Sequence, residues 1–250
     1  LRTIQLIIGV IGYIAAIAAL LALFGFIAGV GPHGGLNDGP QTGLLFALAI
    51  DLGLIALFGL HHSGAARRGF KSWVTRIFPA DLERSIYLLV TAALATLIIV
   101  AWRPIPIQLW QFENPVGVAV IRTCFVGVMA MMLVATFQIG HLGFFGLRNP
   151  LDAFLQKRTA PVSFSARFLY GLVRHPISLG WLLAPWLVPE FTVGQLVFAL
   201  GTAAYVFAVT PLEEADLRRD IGADYDTYRN RVPAFFPFPR ISKRTDRRLQ

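Results

Sequence analysis

Residues 6–30 contain no charged side chain. As a helix such a run is roughly 37 Å long, more than the ~30 Å needed to cross a bilayer's hydrocarbon core. It also exceeds the apolar core of a signal peptide, about 7–15 residues, and no small-residue cleavage site stands out. It predicts a spanning helix. Further apolar runs cover 43–60, 85–101, 116–139 and 193–212, with a shorter one at 177–188. Gly and Pro clusters punctuate them: Gly31-Pro32-His33-Gly34-Gly35, Arg103-Pro104 and Pro189-Glu190. Hydrophobic residues make up 56% of the chain and charged residues 14%, against about 25% charged in soluble domains. A chain this apolar needs lipid as its solvent. Backbone groups in lipid must bond internally, and these runs lack the alternation of barrel strands. The fold expected is an all-α integral membrane protein of five to six transmembrane helices. Its last two helices form a tight hairpin, the first limb only partly spanning. One domain is expected over 1–250, with a four-helix part at 1–140 and a loop, hairpin and tail at 141–250.

Charge predicts the orientation. Segment 61–84 carries Arg67, Arg68, Lys71, Arg76 and Arg84; segment 141–176 carries Arg148, Lys157, Arg158, Arg167 and Arg174; the tail beyond Glu213 is basic from Arg218 to Arg248. Segment 31–42 has no Lys or Arg, and 103–115 has only Arg103. The positive-inside rule then puts both termini and both basic loops in the cytoplasm. The net charge of +8 reads as a topology signal that also favours anionic headgroups. No aromatic-basic interleaving points to nucleic acid. A single cysteine, Cys124, excludes an internal disulfide and reads as packing, as do Met129, Met131 and Met132, in the core or against lipid. Arg122 is expected to snorkel outward.

The polar residues concentrate in 174–237. Arg174-His175-Pro176-Ile177-Ser178-Leu179-Gly180 opens a helix, with Pro in the first turn, where its missing N–H costs little. Glu213-Glu214 stands where the partner limb leaves the membrane. A tight hairpin makes these ends neighbours, and a cationic cluster then faces a carboxylate pair. Such a pocket suits a zwitterionic ligand. The alternative is two interfacial charge clusters that snorkel and pair with each other. Asp51, midway along a span, is costly there; it either faces the pocket or hydrogen-bonds between helices. His61, His62 and His141 lie at span ends. Their spacing does not support a metal site, and they read as packing near the mouth of the pocket.

These motifs resemble the isoprenylcysteine carboxyl methyltransferase family of membrane enzymes. That family carries Arg-His-Pro-x-Tyr-x-Gly, a helical hairpin, Glu-Glu, Tyr-x-x-Tyr and Val-Pro-x-Phe-x-Pro. Here the matching residues are Arg174 to Gly180, Glu213-Glu214, Tyr225 with Tyr228, and Val232-Pro233-Ala234-Phe235-Phe236-Pro237. His61-His62-Ser63, Phe70-Lys71-x-Trp73, Glu83-Arg84-Ser85-x-Tyr87, Trp102-Arg103-Pro104 and Phe145-Gly146-Leu147-Arg148 are similar to its bacterial methanethiol S-methyltransferase branch. The resemblance runs from about Asp51 to Pro237. It implies a bacterial inner-membrane enzyme that binds S-adenosylmethionine in a cytoplasm-facing pocket built partly by the C-terminal segment. Arg174, His175, Ser178, Gly180, Glu213, Glu214, Tyr225 and Tyr228 are the implied cofactor-binding residues, with Pro233 shaping the floor. His175, Asp51 and Glu214 are the candidates for chemistry, and no metal is implied. The implied acceptor is a small thiol, giving dimethyl sulfide from methanethiol. Two positions depart from the pattern: Ser178 replaces the motif tyrosine, and Gly143 replaces an aspartate of the thiol branch. They leave open a lipid-soluble or isoprenoid-linked acceptor, or a non-catalytic member of the fold serving as a subunit of a larger membrane complex.

Overall fold

The computed structural model describes residues 1–31, 34–157 and 166–237. Pro32 and His33, Arg158 and the end of the basic tail lie outside them. In chain order the helices are α1 (Arg2–Ile27), α2 (Leu44–Gly64), α3 (Arg68–Ile77) and α4 (Glu83–Ala101). Strand β1 (Gln108–Gln111) and helix α5 (Pro115–Gln138) follow. Three short helices, α6 (His141–Phe144), α7 (Arg148–Phe154) and α8 (Leu169–Leu172), lead to α9 (Pro176–Leu183). Strand β2 (Glu190–Thr192), α10 (Val193–Ile221) and α11 (Ala223–Arg231) complete the described chain. Helices α1, α2, α4, α5 and α10 are long and apolar enough to cross a membrane. The protein is an all-α integral membrane protein.

Local chemistry sets the helix ends. At the end of α1, Gly29 takes φ +70°. The N–H groups of Gly29 and Val30 return to the carbonyls of Phe26 and Gly25, which satisfies donors and acceptors that the last turn leaves open. α5 starts at Asn114, whose side chain accepts the Val116 N–H at 2.8 Å, with Pro115 in the first turn. α10 starts at Thr192, whose hydroxyl accepts the Gln195 N–H at 3.2 Å and donates to Asn37 Oδ1 at 2.6 Å.

The bundle's two ends are distinct. At one end Tyr13 of α1 meets His141, Arg84 at the start of α4 donates to the Phe144 carbonyl, and the Ser85 hydroxyl donates to the Gly146 carbonyl. At the other end β1 pairs antiparallel with β2, and Phe191 is stacked between Trp110 and Trp186. Among the described residues this ribbon is the one two-stranded sheet, and it lies beyond the ends of the spanning helices.

The short limb reaches the far end without being one continuous helix. After the eight residues of α9 come a 3₁₀ turn at Ala184–Trp186 and an extended stretch into β2. Non-helical backbone at membrane depth is tolerated only where protein buries and satisfies it. Ala184, Pro185 and Val188 are buried. The buried Gln195 donates its Nε2–H to the Pro185 carbonyl at 3.0 Å. The Phe112 N–H takes the Pro189 carbonyl.

Cys124, expected to be packed, is exposed on the outer side of α5. α5 buries a different stripe: Phe125, Met132, Ala135 and Thr136.

Candidate active site

The hairpin's two limbs meet at the end that carries Tyr13 and His141. His175 leads into α9 with Pro176 as its first residue. α10 continues past the bundle, and its internal Pro211 removes one helical N–H just before Glu213 and Glu214. The residues after α11 then fold back. The Arg174 N–H donates to the Pro233 carbonyl at 2.8 Å, and the His175 N–H to the Ala234 carbonyl at 3.0 Å.

This return path buries a charged cluster. Arg174 Nε and Nη2 both donate to Glu214 Oε1, at 2.8 and 2.5 Å. Its Nη1 donates to the carbonyls of Arg229 and Val232. The guanidinium is thus engaged on three sides by its own protein. Arg229 Nε reaches the other oxygen of Glu214 at 3.1 Å. A carboxylate held by two arginines is ionised and only accepts hydrogen bonds. The contact between Glu214 Oε1 and His175 Nε2 at 3.2 Å therefore has the imidazole Nε2–H as donor. His175 Nδ1 is left facing Glu213, 3.7 Å away. Glu214 is buried, whereas about half of the Glu213 side chain is exposed.

The tyrosines of α11 pack beside this cluster. Tyr228 donates to the Tyr170 carbonyl at 2.7 Å, and its ring lies 5.9 Å from that of the fully buried Tyr225. Burial first, then the negative charge of Glu214, pushes the Tyr225 hydroxyl up to about 12. Burial and the charge of Glu213 push Tyr170 likewise to about 12.

A second polar group faces this one from α2 and α4. The Ser63 hydroxyl donates to Tyr205 Oη at 3.1 Å. Tyr87 Oη lies 2.8 Å from His62 Nδ1, and the His61 ring stacks on Tyr87. The Tyr205 ring packs against Gly59, where a Cβ would sit 2.7 Å from it. Tyr87, Tyr170 and Tyr205 all lie within electrostatic reach of Glu213. Sequence motifs name Tyr87 and Ser63 but not this convergence. The part played by Arg229 has no sequence signal beyond its charge.

Other expected site residues sit differently. Ser178 is half-buried in the first turn of α9. Gly180 turns towards α5, where a Cβ would lie 2.3 Å from both Cγ and Sδ of Met132. Asp51 is fully buried and accepts the Arg103 N–H at 2.9 Å. α2 rises about 20 Å between Asp51 and Gly64, so Asp51 stands apart from the Glu213–His175 cluster. His141 bonds Tyr13 and Thr136. Two surface cavities lie elsewhere. One, about 460 Å³, runs along α5 past Val116 and Cys124. The other, about 340 Å³, lies at the β1–β2 end around Asp38, Arg122 and Glu190.

Comparison with known proteins shows the family. The chain is 38% identical over 237 residues to a methanethiol S-methyltransferase of Crocosphaera subtropica, covering 95% of this chain and 93% of that one. The chain belongs to the methanethiol S-methyltransferase family. The enzyme of that name from Mycobacterium tuberculosis is 37% identical, with 77% of this chain and 79% of that one covered. A more distant relative, nurim of Sus scrofa, is 31% identical over 70% of each chain. No family model matches the chain, and no solved structure does.

Proposed function

We propose that this membrane protein transfers a methyl group from S-adenosylmethionine to a small thiol, converting methanethiol to dimethyl sulfide. Family membership supports the reaction class, and one local observation carries the assignment of residues. His175 is held between two carboxylates, Nε2 on Glu214 and Nδ1 towards Glu213.

The donor's chemistry suits the residues present. S-adenosylmethionine carries an ammonium and a sulfonium, and the half-exposed Glu213 beside His175 offers them a negative partner. Glu213, Glu214, Arg229, Tyr225 and Tyr228 are the residues that would hold it, with Ser178 on the adjoining turn of α9, while Gly180 is taken up by its contact with Met132 of α5. Arg174, spent on Glu214 and two carbonyls, acts as the strut that fixes the cluster. When bound, the donor supplies an electrophilic methyl on a cationic sulfur.

The protein's task is positioning and removal of one proton. A thiolate, not a thiol, is the nucleophile. The S–H bond breaks with its proton passing to His175 Nδ1, directly or through water, and Glu214 stabilises the imidazolium that results. The sulfur's electron pair then forms the new bond to carbon, and the old carbon–sulfur pair stays with the departing neutral thioether. Tyr205 and Tyr87 line the thiol's side of the cluster. The end that carries His175 faces the cytoplasm in this reading, in keeping with its basic loops.

The test is incubation of the purified protein with methyl-labelled S-adenosylmethionine and a panel of thiols, with volatile products measured. Labelled dimethyl sulfide from methanethiol is the expected result. Label appearing only in lipid, or S-adenosylmethionine binding without any turnover, would overturn it.

A further inference from the structure

Helix α3, between α2 and α4, is not used by the proposed chemistry. On a helical wheel Phe70, Trp73, Val74 and Ile77 fall within an arc of about 100°. Arg68, Lys71, Ser72, Thr75 and Arg76 fill the opposite side. Burial runs against what a soluble protein would do. Val74 is buried, but Phe70, Trp73 and Ile77 are 40%, 53% and 58% exposed, and the adjoining Phe78 is 44% exposed.

The polar side is fastened to the protein. Arg67, one residue before α3, donates to Asp216 and to the Leu212 carbonyl, and Arg68 pairs with Asp220. These partners lie on α10 immediately around and beyond Glu213 and Glu214. Among the described residues no carboxylate lies within 4 Å of Lys71 or Arg76. A short helix with an exposed aromatic face and a basic opposite face, set between two spanning helices, has the composition of one lying in the plane of a membrane surface.

We infer that α3 is an interfacial anchor. Its Phe70–Trp73–Ile77 face lies in the acyl boundary of the leaflet at the His175 end, and Lys71 and Arg76 take anionic phospholipid headgroups. Through Arg67 and Arg68 it ties the extension of α10 to the bilayer surface. Charge decides the partner: the unpaired side chains are cationic, and each basic residue near an anionic surface strengthens attachment on the order of fivefold. The inference holds whether or not the methyltransferase reading does, because neither readout below measures turnover.

The full-length protein is placed, one copy per nanodisc, in phosphatidylcholine with and without phosphatidylglycerol. In discs with acyl chains brominated near the carbonyl, the emission lost on Trp73→Phe substitution should be the quenched part. A Trp73 contribution that is quenched by aqueous iodide instead would overturn the apolar half of the inference. Hydrogen exchange across 65–82 should be slower by at least severalfold in the phosphatidylglycerol discs. That gain should vanish in Lys71→Gln/Arg76→Gln, which keeps the apolar face. Equal exchange in both lipids would overturn the anionic half. In Arg67→Ala/Arg68→Ala, exchange across 213–222 should rise; unchanged exchange there would break the proposed tie to α10.

Discussion

Arg174 Nη2 and Glu214 Oε1 stand 2.5 Å apart although 40 residues separate them in the chain. Both side chains are at least nine-tenths buried. Ionic groups of this kind contribute little net stability as a pair, because each loses its hydration, but removing one leaves the other charge buried and uncompensated. Arg174 also holds the carbonyls of Arg229 and Val232, so the strut joins α9, α10 and the residues after α11.

Glu214→Ala should therefore cost about 3–5 kcal/mol and release the segment that follows α11. The measurement is thermal unfolding in detergent together with hydrogen exchange over 223–237. A fully protected segment in Glu214→Ala would show that the return path is held by something other than this pair.

His175→Ala should lower turnover about 10²- to 10⁴-fold, the usual size of a lost proton acceptor, with donor binding retained. The deficit should shrink as pH rises, because the thiol then ionises in solution without help. A deficit of the same size at every pH would assign His175 to binding instead of proton removal. Titration calorimetry with S-adenosylmethionine separates the two.

Much of this was legible in the sequence, for identifiable reasons. Charge-free runs and basic loops report directly on the solvent, so the spans and the clustering of ends followed from them. The meeting of Arg174-His175 with Glu213-Glu214 followed from hairpin geometry and motif spacing. What composition could not convey is which donor is spent on which acceptor. Arg174 reads as a ligand residue in sequence, yet its nitrogens are engaged by Glu214 and two carbonyls. Asp51 reads as either a pocket residue or a hydrogen-bonding partner between helices, and the partner it takes is the main-chain N–H of Arg103, a backbone group that leaves no pattern of side chains. The far-end ribbon was missed because β1 and β2 are short and lie on either side of helices α5 to α9. Segment 65–82 registered as charge and as the motif Phe70-Lys71-x-Trp73, since its apolar face emerges only when plotted at the helical period.

Gly180 illustrates the same distinction. A Cβ there would fall 2.3 Å from Cγ and Sδ of Met132, so the α9–α5 contact requires a glycine for space alone. Gly180→Ala should cost about 1–3 kcal/mol, the range for overpacking. The double variant Gly180→Ala/Met132→Ala should recover part of that loss, a coupling expected only for neighbours in contact. Additive losses in thermal unfolding would place Gly180 outside this packing contact.

Asp51 should behave as a structural acceptor. Asp51→Asn keeps an oxygen for the Arg103 N–H and should leave turnover at saturating substrate within about twofold, given that coupling between sites becomes small at such separations. Asp51→Leu strands that N–H and should destabilise by about 1–3 kcal/mol. A selective loss of turnover in Asp51→Asn, with unfolding unchanged, would return this residue to the chemistry.

His141 supplies a pH dependence with a definite sign. The Thr136 hydroxyl donates to the Leu133 carbonyl at 2.7 Å, so it accepts from His141 Nδ1–H at 2.8 Å. Nε2 is then the acceptor for Tyr13 Oη–H at 2.9 Å. The neutral imidazole fits both bonds, and burial holds the group below the ordinary histidine range. A base whose folded value is lowered binds its proton less readily than the unfolded chain does. Stability is therefore fully present above the ordinary value of about 6.5 and declines as pH falls below it. The unfolding temperature of the protein should drop on acidification from about pH 7 to pH 5, and His141→Gln should remove that part of the slope. A His141→Gln variant with an unaltered acid slope would mean that another group carries it, and that the Tyr13–His141–Thr136 chain does not couple α1 to α5 through the neutral ring.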